Sequence, residues 1–150
     1  MANYDIWFTN RMQIEGPHSA REDEKSDDGN WTGGQQGVGL YSGTTLGVTA
    51  FEYSKILGHP ATLKEMEDMP QDVAHKLFKE GYDCPGGEHI GGYWDELRGD
   101  EIINQDLAGE MCDACVNMGE TTGIDIMQQE NGWPVTGKMD DYTLNKINLK

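Results

Sequence analysis

The stretch YDIWFTNRMQIEGPHSAREDEKSDDGNWTGG, residues 4–34, passes from an aromatic stripe into an acidic loop. Tyr4, Trp7, Phe8 and Met12 fall on one face of an α-helix, and Glu15 continues that face at the helix end. The spacing therefore predicts a helix over 4–14 with Glu15 turned inward. Gly16 and Pro17 stop it, and the chain then runs through a set of carboxylates ahead of Gly29. Glu15 is either an ordinary helix-end glutamate or half of a reactive pair.

Outward from this stretch, most of the chain reads as helix. Thr49 and Glu52 have the spacing of a capping box, as do Thr62 and Glu65, so short helices are expected to start at 50 and at 63. Pro70 suits the first turn of a helix that carries Val73, Leu77 and Phe78 before Gly81. Further helices are expected over 104–118, 121–129 and 141–148. Only 29–48 looks extended, its glycines punctuating Val38, Leu40 and Tyr41 in the manner of a small hairpin or ordered loops.

The chain has 150 residues, 36% of them hydrophobic, which is enough for one real core. A single domain over 1–150 is expected. Eleven Lys and Arg against 27 Asp and Glu give a formal net charge of -16. Such a chain repels polyanions, so binding to nucleic acid is not expected, and an anionic cell wall must be held by local contacts. Salt would screen that repulsion, and solubility is the plainer use of the charge. No apolar run approaches the roughly 18 residues of a membrane span, and a basic, then apolar leader is missing. The expectation is a protein made in the cytoplasm without a signal peptide and without stable membrane insertion.

Cys112 and Cys115 have CxxC spacing, and with Cys84 and a histidine they raise the question of zinc. There is no second CxxC. Both cysteines also fall in the pattern Leu107, Met111, Cys115, Met118, which is one helix face, so buried core positions are the expected role. Three cysteines also fit a reducing compartment better than a disulfide framework.

A mainly α domain with a glutamate closing its first helix and a glycine-rich, acidic loop after it is what a lysozyme-type glycosidase requires. One carboxyl must stay protonated among apolar neighbours, to protonate the leaving sugar oxygen. The other must stay ionised in a polar setting, to activate water or support the positive transition state. Glu15 fits the first role and Asp27 or Asp28 the second. On composition alone the plainer reading, a helix-end glutamate and a solvated loop, prevails.

Motifs along the chain change that balance. Glu15-Gly16 is followed by Asp27-Asp28-Gly29-Asn30-Trp31-Thr32-Gly33-Gly34 and then by Gly43-Thr44-Thr45-Leu46-Gly47-Val48-Thr49. Tyr93-Trp94-Asp95-Glu96-Leu97-Arg98-Gly99-Asp100-Glu101 and Asp113-Ala114-Cys115-Val116-Asn117-Met118-Gly119 come later. In this order they resemble the phage-type N-acetylmuramidases of glycoside hydrolase family 108, whose first helix ends in Glu-Gly-Gly before Asp-x-Gly and Thr-x-x-Gly turns. The last part, from Met127 through Val135-Thr136-Gly137 to Thr143-Leu144, resembles the peptidoglycan-binding-type segment that ends such proteins.

The resemblance implies a lysozyme-like helical domain with a small glycine-rich loop or hairpin region after the first helix. Residues 1–119 would be the catalytic core, and 120–150 a C-terminal peptidoglycan-binding-type helical segment packed on it. It implies Glu15 as general acid and Asp27 as the aspartate assisting water or the transition state, with Asp28 a rival one place away that otherwise contacts substrate. Thr44 matches the family threonine, either positioning water or a sugar hydroxyl or stabilising its turn. Trp31 and Tyr93 could stack on sugars and Asn117 could contact them, while Trp94 is read as core.

The implied substrate is the peptidoglycan glycan strand, cleaved at the β-1,4 bond between N-acetylmuramic acid and N-acetylglucosamine. The implied enzyme is a monomer with no metal and no cofactor, a phage endolysin or bacterial wall hydrolase reaching the wall by holin-type release or dedicated secretion. A lytic transglycosylase, a non-catalytic wall-binding module on the same fold and, more remotely, a zinc-binding module are the alternatives. The chain departs from the family pattern at Pro17, which replaces the second glycine, and at 20–26 and 83–92, which read as insertions. The second of these is expected to be a flap or a plain surface loop. Thr136 and Asp140 stand where the terminal segment has aspartate and glycine.

Overall fold

Two capping boxes form where their spacing places them. In the computed structural model, which describes residues 1–150, the Thr49 hydroxyl accepts from the Glu52 N–H at 3.1 Å while the Glu52 carboxylate accepts from the Thr49 N–H at 3.0 Å. Thr62 and Glu65 repeat the exchange at 3.1 Å in both directions. Helices α2 (Ala50–Leu57) and α3 (Leu63–Glu67) follow from them, after α1 (Tyr4–Ile14). Then come α4 (Gln71–Lys79), α5 (Tyr93–Glu96), α6 (Gln105–Met118), α7 (Glu120–Asn131) and α8 (Asp141–Asn148). The chain divides into two compact units, one of Met1–Thr9, Phe78–Gly81 and Gly91–Lys150, the other of Asn10–Leu77 and Tyr82–Ile90.

The first unit is built on aromatic packing. Tyr4, Trp7 and Phe8 are all buried, as the stripe required, and Trp94 is fully so. Tyr4 meets Trp94 edge-on with ring centroids 5.5 Å apart, and Trp7 meets Phe78 edge-on at 6.1 Å. Each indole N–H finds a carboxylate: Trp7 donates to Asp113 at 3.1 Å and Trp94 to Asp100 at 2.9 Å. A Cβ on Gly99 would stand 2.3 Å from the Trp94 ring, so only glycine fits there. The run from Tyr93 to Glu101 thus builds a socket for Trp94, with Arg98 bound to Glu101 at 2.6 Å and to Asp141 at 2.7 Å.

Helix α6 buries Ala108, Met111, Cys112 and Cys115, whereas Met118 is 45% exposed and Leu107 only half-buried. The buried face keeps Met111 and Cys115 of the expected line and shifts toward Ala108 and Cys112, while Met118 emerges where the helix ends before Gly119. Burial pushes the Cys115 thiol up to about 12, so it is an inert core group. Gly123 lets α7 approach α6 closely, a Cβ there falling 3.0 Å from Cys115 Sγ.

The end of the chain turns on Gln128, which is fully buried. Its amide nitrogen lies 3.0 Å from Thr136 Oγ1 and 2.9 Å from Thr143 Oγ1, and its oxygen accepts from the Thr136 and Gly137 N–H groups at 2.9 and 3.1 Å. Gln128→Leu keeps most of the volume but strands these donors. A loss of about 3 kcal/mol is expected, read as a lower urea midpoint at unchanged slope.

In the second unit, strands β1 (Thr44–Thr45) and β2 (Val48–Thr49) pair antiparallel, Thr44 with Thr49 and Thr45 with Val48. Leu46 and Gly47 join them at φ +52° and +81°, the signature of a type I′ turn. Leucine is a costly occupant of that position. The Thr45 hydroxyl donates to the Met66 carbonyl at 2.7 Å and the Ser42 hydroxyl to the Ala61 carbonyl at 2.5 Å, tying the hairpin to α3 and its approach. Where a flap or surface loop was expected over 83–92, β3 (Tyr82–Asp83) and β4 (His89–Ile90) form a second hairpin. No helix is long and apolar enough to cross a membrane.

Candidate active site

Helix α1 ends against the β1–β2 turn, and a cavity of about 300 Å³ opens there. Glu15, Gly16 and Pro17 line it from the helix end, Thr44, Leu46 and Gly47 from the hairpin, and Ser19, Glu24, Asp27 and Asn30 from the acidic loop. Three carboxylates therefore share one concave space within the second unit.

Glu15 is held by its own helix and by the turn. Its carboxylate pairs with Arg11, one turn earlier, at 3.1 Å, and its side chain is 29% exposed. A Cβ on Gly47 would lie 3.2 Å from the Glu15 carboxyl carbon, so the turn can close on Glu15 because residue 47 is glycine. The Leu46 N–H donates to the Gly16 carbonyl at 3.3 Å, fixing the turn to the helix end. Glu15 is thus not turned into the aromatic core. The stripe is buried at Tyr4, Trp7 and Phe8, is half-buried at Met12 and gives way to the Arg11 ion pair at Glu15. An arginine four residues before a glutamate was the sequence signal for that pair.

On the loop side, Asp27 caps the short 3-10 turn Asp28–Asn30, its Oδ1 accepting from the Gly29 N–H at 3.0 Å. Asp28 accepts from the Gln36 N–H at 2.9 Å and does not line the cavity. Asn30 is buried; its amide donates to the Glu24 carbonyl at 3.1 Å, and its side-chain oxygen accepts from the Thr44 hydroxyl. The Thr44 hydroxyl proton is thus committed to the Asn30 side chain, and Thr44 lines the cavity. Ser19 and Thr44 bridge their backbones at 2.8 and 2.9 Å, which makes this wall a fixed one.

Glu24 was not singled out in the sequence. Its Oε1 accepts from the Ser19 hydroxyl at 2.5 Å, the Arg21 N–H at 2.9 Å and Arg21 Nε at 3.3 Å. The Ser19 hydroxyl and then the Arg21 N–H hold its carboxyl below the usual carboxylate range. Glu22, Asp23 and Glu24 look alike as sequence; only the Ser19–Thr44 bridge, a long-range contact, separates Glu24 from the others.

Trp31 packs on Tyr41 with centroids 5.3 Å apart and donates its indole N–H to the Lys25 carbonyl at 2.8 Å, bracing the loop from outside the cavity lining. Tyr93 and Asn117 belong to the other unit and are not among the residues lining this cavity. No group of three or more His, Cys, Asp or Glu side chains is placed to hold a metal ion.

A family model described as Glycosyl hydrolase 108 matches residues 9–119, a span that includes every residue lining the cavity. No curated protein matches the chain. Among solved structures, "Structure of Brucella abortus SagA" superposes with a TM-score of 0.67 at 15% identity, over 98% of this chain and 69% of that one. At that identity the likeness speaks to fold, and it agrees with a mainly α, lysozyme-like helical domain.

Proposed function

Because the chain belongs to the glycosyl hydrolase 108 family, we propose that it is an N-acetylmuramidase cleaving the β-1,4 bond between N-acetylmuramic acid and N-acetylglucosamine in peptidoglycan. It would serve as a phage endolysin or a bacterial wall hydrolase. The observation that carries this reading is the cavity at the end of α1, where Glu15 faces a loop that supplies further carboxylates.

In this reading Glu15 protonates the leaving sugar oxygen as the C1–O bond lengthens, and a loop carboxylate supports the positive charge or the incoming water. Asp27 holds the position that the family pattern gives to that carboxylate. A glycan filling the cavity displaces water from it, so charge that develops during the reaction meets the lining side chains rather than solvent. Arg11 keeps Glu15 pointed along the helix end until substrate arrives. The Leu46–Gly47 turn, pinned to Gly16, holds the other edge of the cavity in place.

Digestion of purified peptidoglycan by the wild-type protein, with mass spectrometry of the fragments, tests the reading. Reducing N-acetylmuramic acid ends are expected, released faster as salt screens the net charge of -16 from the anionic wall. Anhydro-muramic ends would identify a transglycosylase instead. Wall binding without fragments at any salt would identify a binding module.

A further inference from the structure

A muramidase that adds water directly needs a base on the far side of the reacting sugar from its acid, and the base must stay charged while the acid is protonated. Two loop carboxylates share the cavity with Glu15, and their surroundings differ. Asp27 is committed to the turn that follows it: its Oδ1 caps Asp28–Asn30 through the Gly29 N–H, and this shapes the loop. Glu24 is gripped by one oxygen only. All three donors, the Ser19 hydroxyl, the Arg21 N–H and the Arg21 guanidinium, converge on Oε1, and Oε2 takes no hydrogen bond from the protein.

We propose that Glu24, rather than Asp27, is the base of this site, with Oε2 receiving the proton of the attacking water. The inference rests on the muramidase reading. The water oxygen bonds to C1 of the muramic acid as the C1–O4 bond breaks. Glu15 gives its proton to O4, and Glu24 takes the proton that the water loses. Both groups return to their starting states by exchange with solvent.

Two further observations support the assignment. The donor set holds Glu24 below the usual carboxylate range, so the group is charged where a base must be; Arg21 is 72% exposed, and the Ser19 hydroxyl and the backbone N–H therefore matter most. Ser19 is also bridged in both directions to Thr44. The Glu24 carboxylate is thereby fixed to the same wall that presents Thr44 and Asn30, a polar surface suited to a bound water. Since Glu24 lies in the 20–26 insertion, this chain would have supplied its base from its own added segment.

The test is the rate of release of reducing ends from purified peptidoglycan, with thermal melting of each variant. Glu24→Gln keeps the Oε1 acceptor and should lose a hundredfold or more in kcat with KM and melting temperature nearly unchanged. Asp27→Asn should lose less than tenfold, and Asp23→Asn, exposed and off the cavity, should stay within twofold of wild type. Azide should restore strand cleavage to Glu24→Ala by forming a glycosyl azide, read by mass spectrometry as azide-bearing fragments because that product has no reducing end. Proton NMR of the first wild-type products should show inverted anomers whatever the variants do.

Retained anomers would overturn the proposal. So would near-wild-type turnover in Glu24→Gln, or a loss in Glu24→Gln that merely follows its melting temperature. Release of fragments by wild type together with full activity in Glu24→Gln sinks only this assignment, whereas no release by wild type sinks the muramidase reading and this inference with it.

Discussion

Glu15→Gln is expected to lower the rate of reducing-end release from peptidoglycan by at least a hundredfold, while KM and melting temperature stay close to wild type. The amide fills the same space beside Gly47 and still offers an oxygen to Arg11, but it has no acidic proton to give to the leaving oxygen. General acid catalysis supplies about a hundred- to ten-thousandfold, so its removal raises the barrier by about 2.7 kcal/mol or more. Stability should change little. The Arg11–Glu15 pair joins side chains that are 13% and 29% exposed on one helix, and pairs of that i,i+4 kind contribute only about 0.3–0.5 kcal/mol. Initial rates and melting curves on the same preparations separate the two effects. A rate within threefold of wild type would remove Glu15 from the chemistry. A matching fall in rate and melting temperature would mean that the ion pair, not the proton, was what the site needed.

Local rules carried the sequence a long way in this molecule, and their limit is visible residue by residue. Capping boxes act within one helical turn, so Thr49–Glu52 and Thr62–Glu65 could be read directly, and the aromatic stripe of α1 is buried where its spacing places it. The end of that stripe was misjudged because Glu15 answers to Arg11 as well as to the helix face. On α6 the expected line holds at Met111 and Cys115 and fails at Met118, which has the right phase but sits at the helix end. The motif from Tyr93 to Glu101 was legible as a motif, yet its physical content, a socket around the Trp94 ring closed by Gly99 and Asp100, needs tertiary contacts to be seen. Glu24 was the least legible of all. Nothing local distinguishes it from Glu22 or Asp23, and what does so is a backbone bridge between Ser19 and a strand that begins at Thr44.

That bridge makes Gly43 the most demanding position in the wall. Gly43 is buried at φ +83°, donates its N–H to the Asn30 carbonyl at 3.0 Å and accepts at its own carbonyl from the Ala50 N–H at 2.9 Å, where α2 begins. A Cβ there would stand 2.0 Å from the Ser19 carbonyl oxygen and 2.8 Å from the Ala20 side chain. The first of these is backbone and cannot rotate aside, so Gly43→Ala must push Ser19 away from Thr44. Residue 43 would meet a left-handed conformation costing about 1–2 kcal/mol in addition to the clash, and a total loss of about 3 kcal/mol or more is expected in urea unfolding. Gly37→Ala is the matched comparison, because Gly37 has the same φ of +83° and nothing within 4 Å of its would-be Cβ. It should lose only the conformational share, about 1–2 kcal/mol, and keep its activity. Folded Gly43→Ala, assayed at low temperature, should lose more than tenfold in rate, since moving Ser19 takes from Glu24 its shortest hydrogen bond and shifts Thr44 with it. Equal losses of stability and full activity in the two variants would show that the 19–44 bridge yields freely, and the wall would then be a flexible loop rather than a fixed support for the reacting groups.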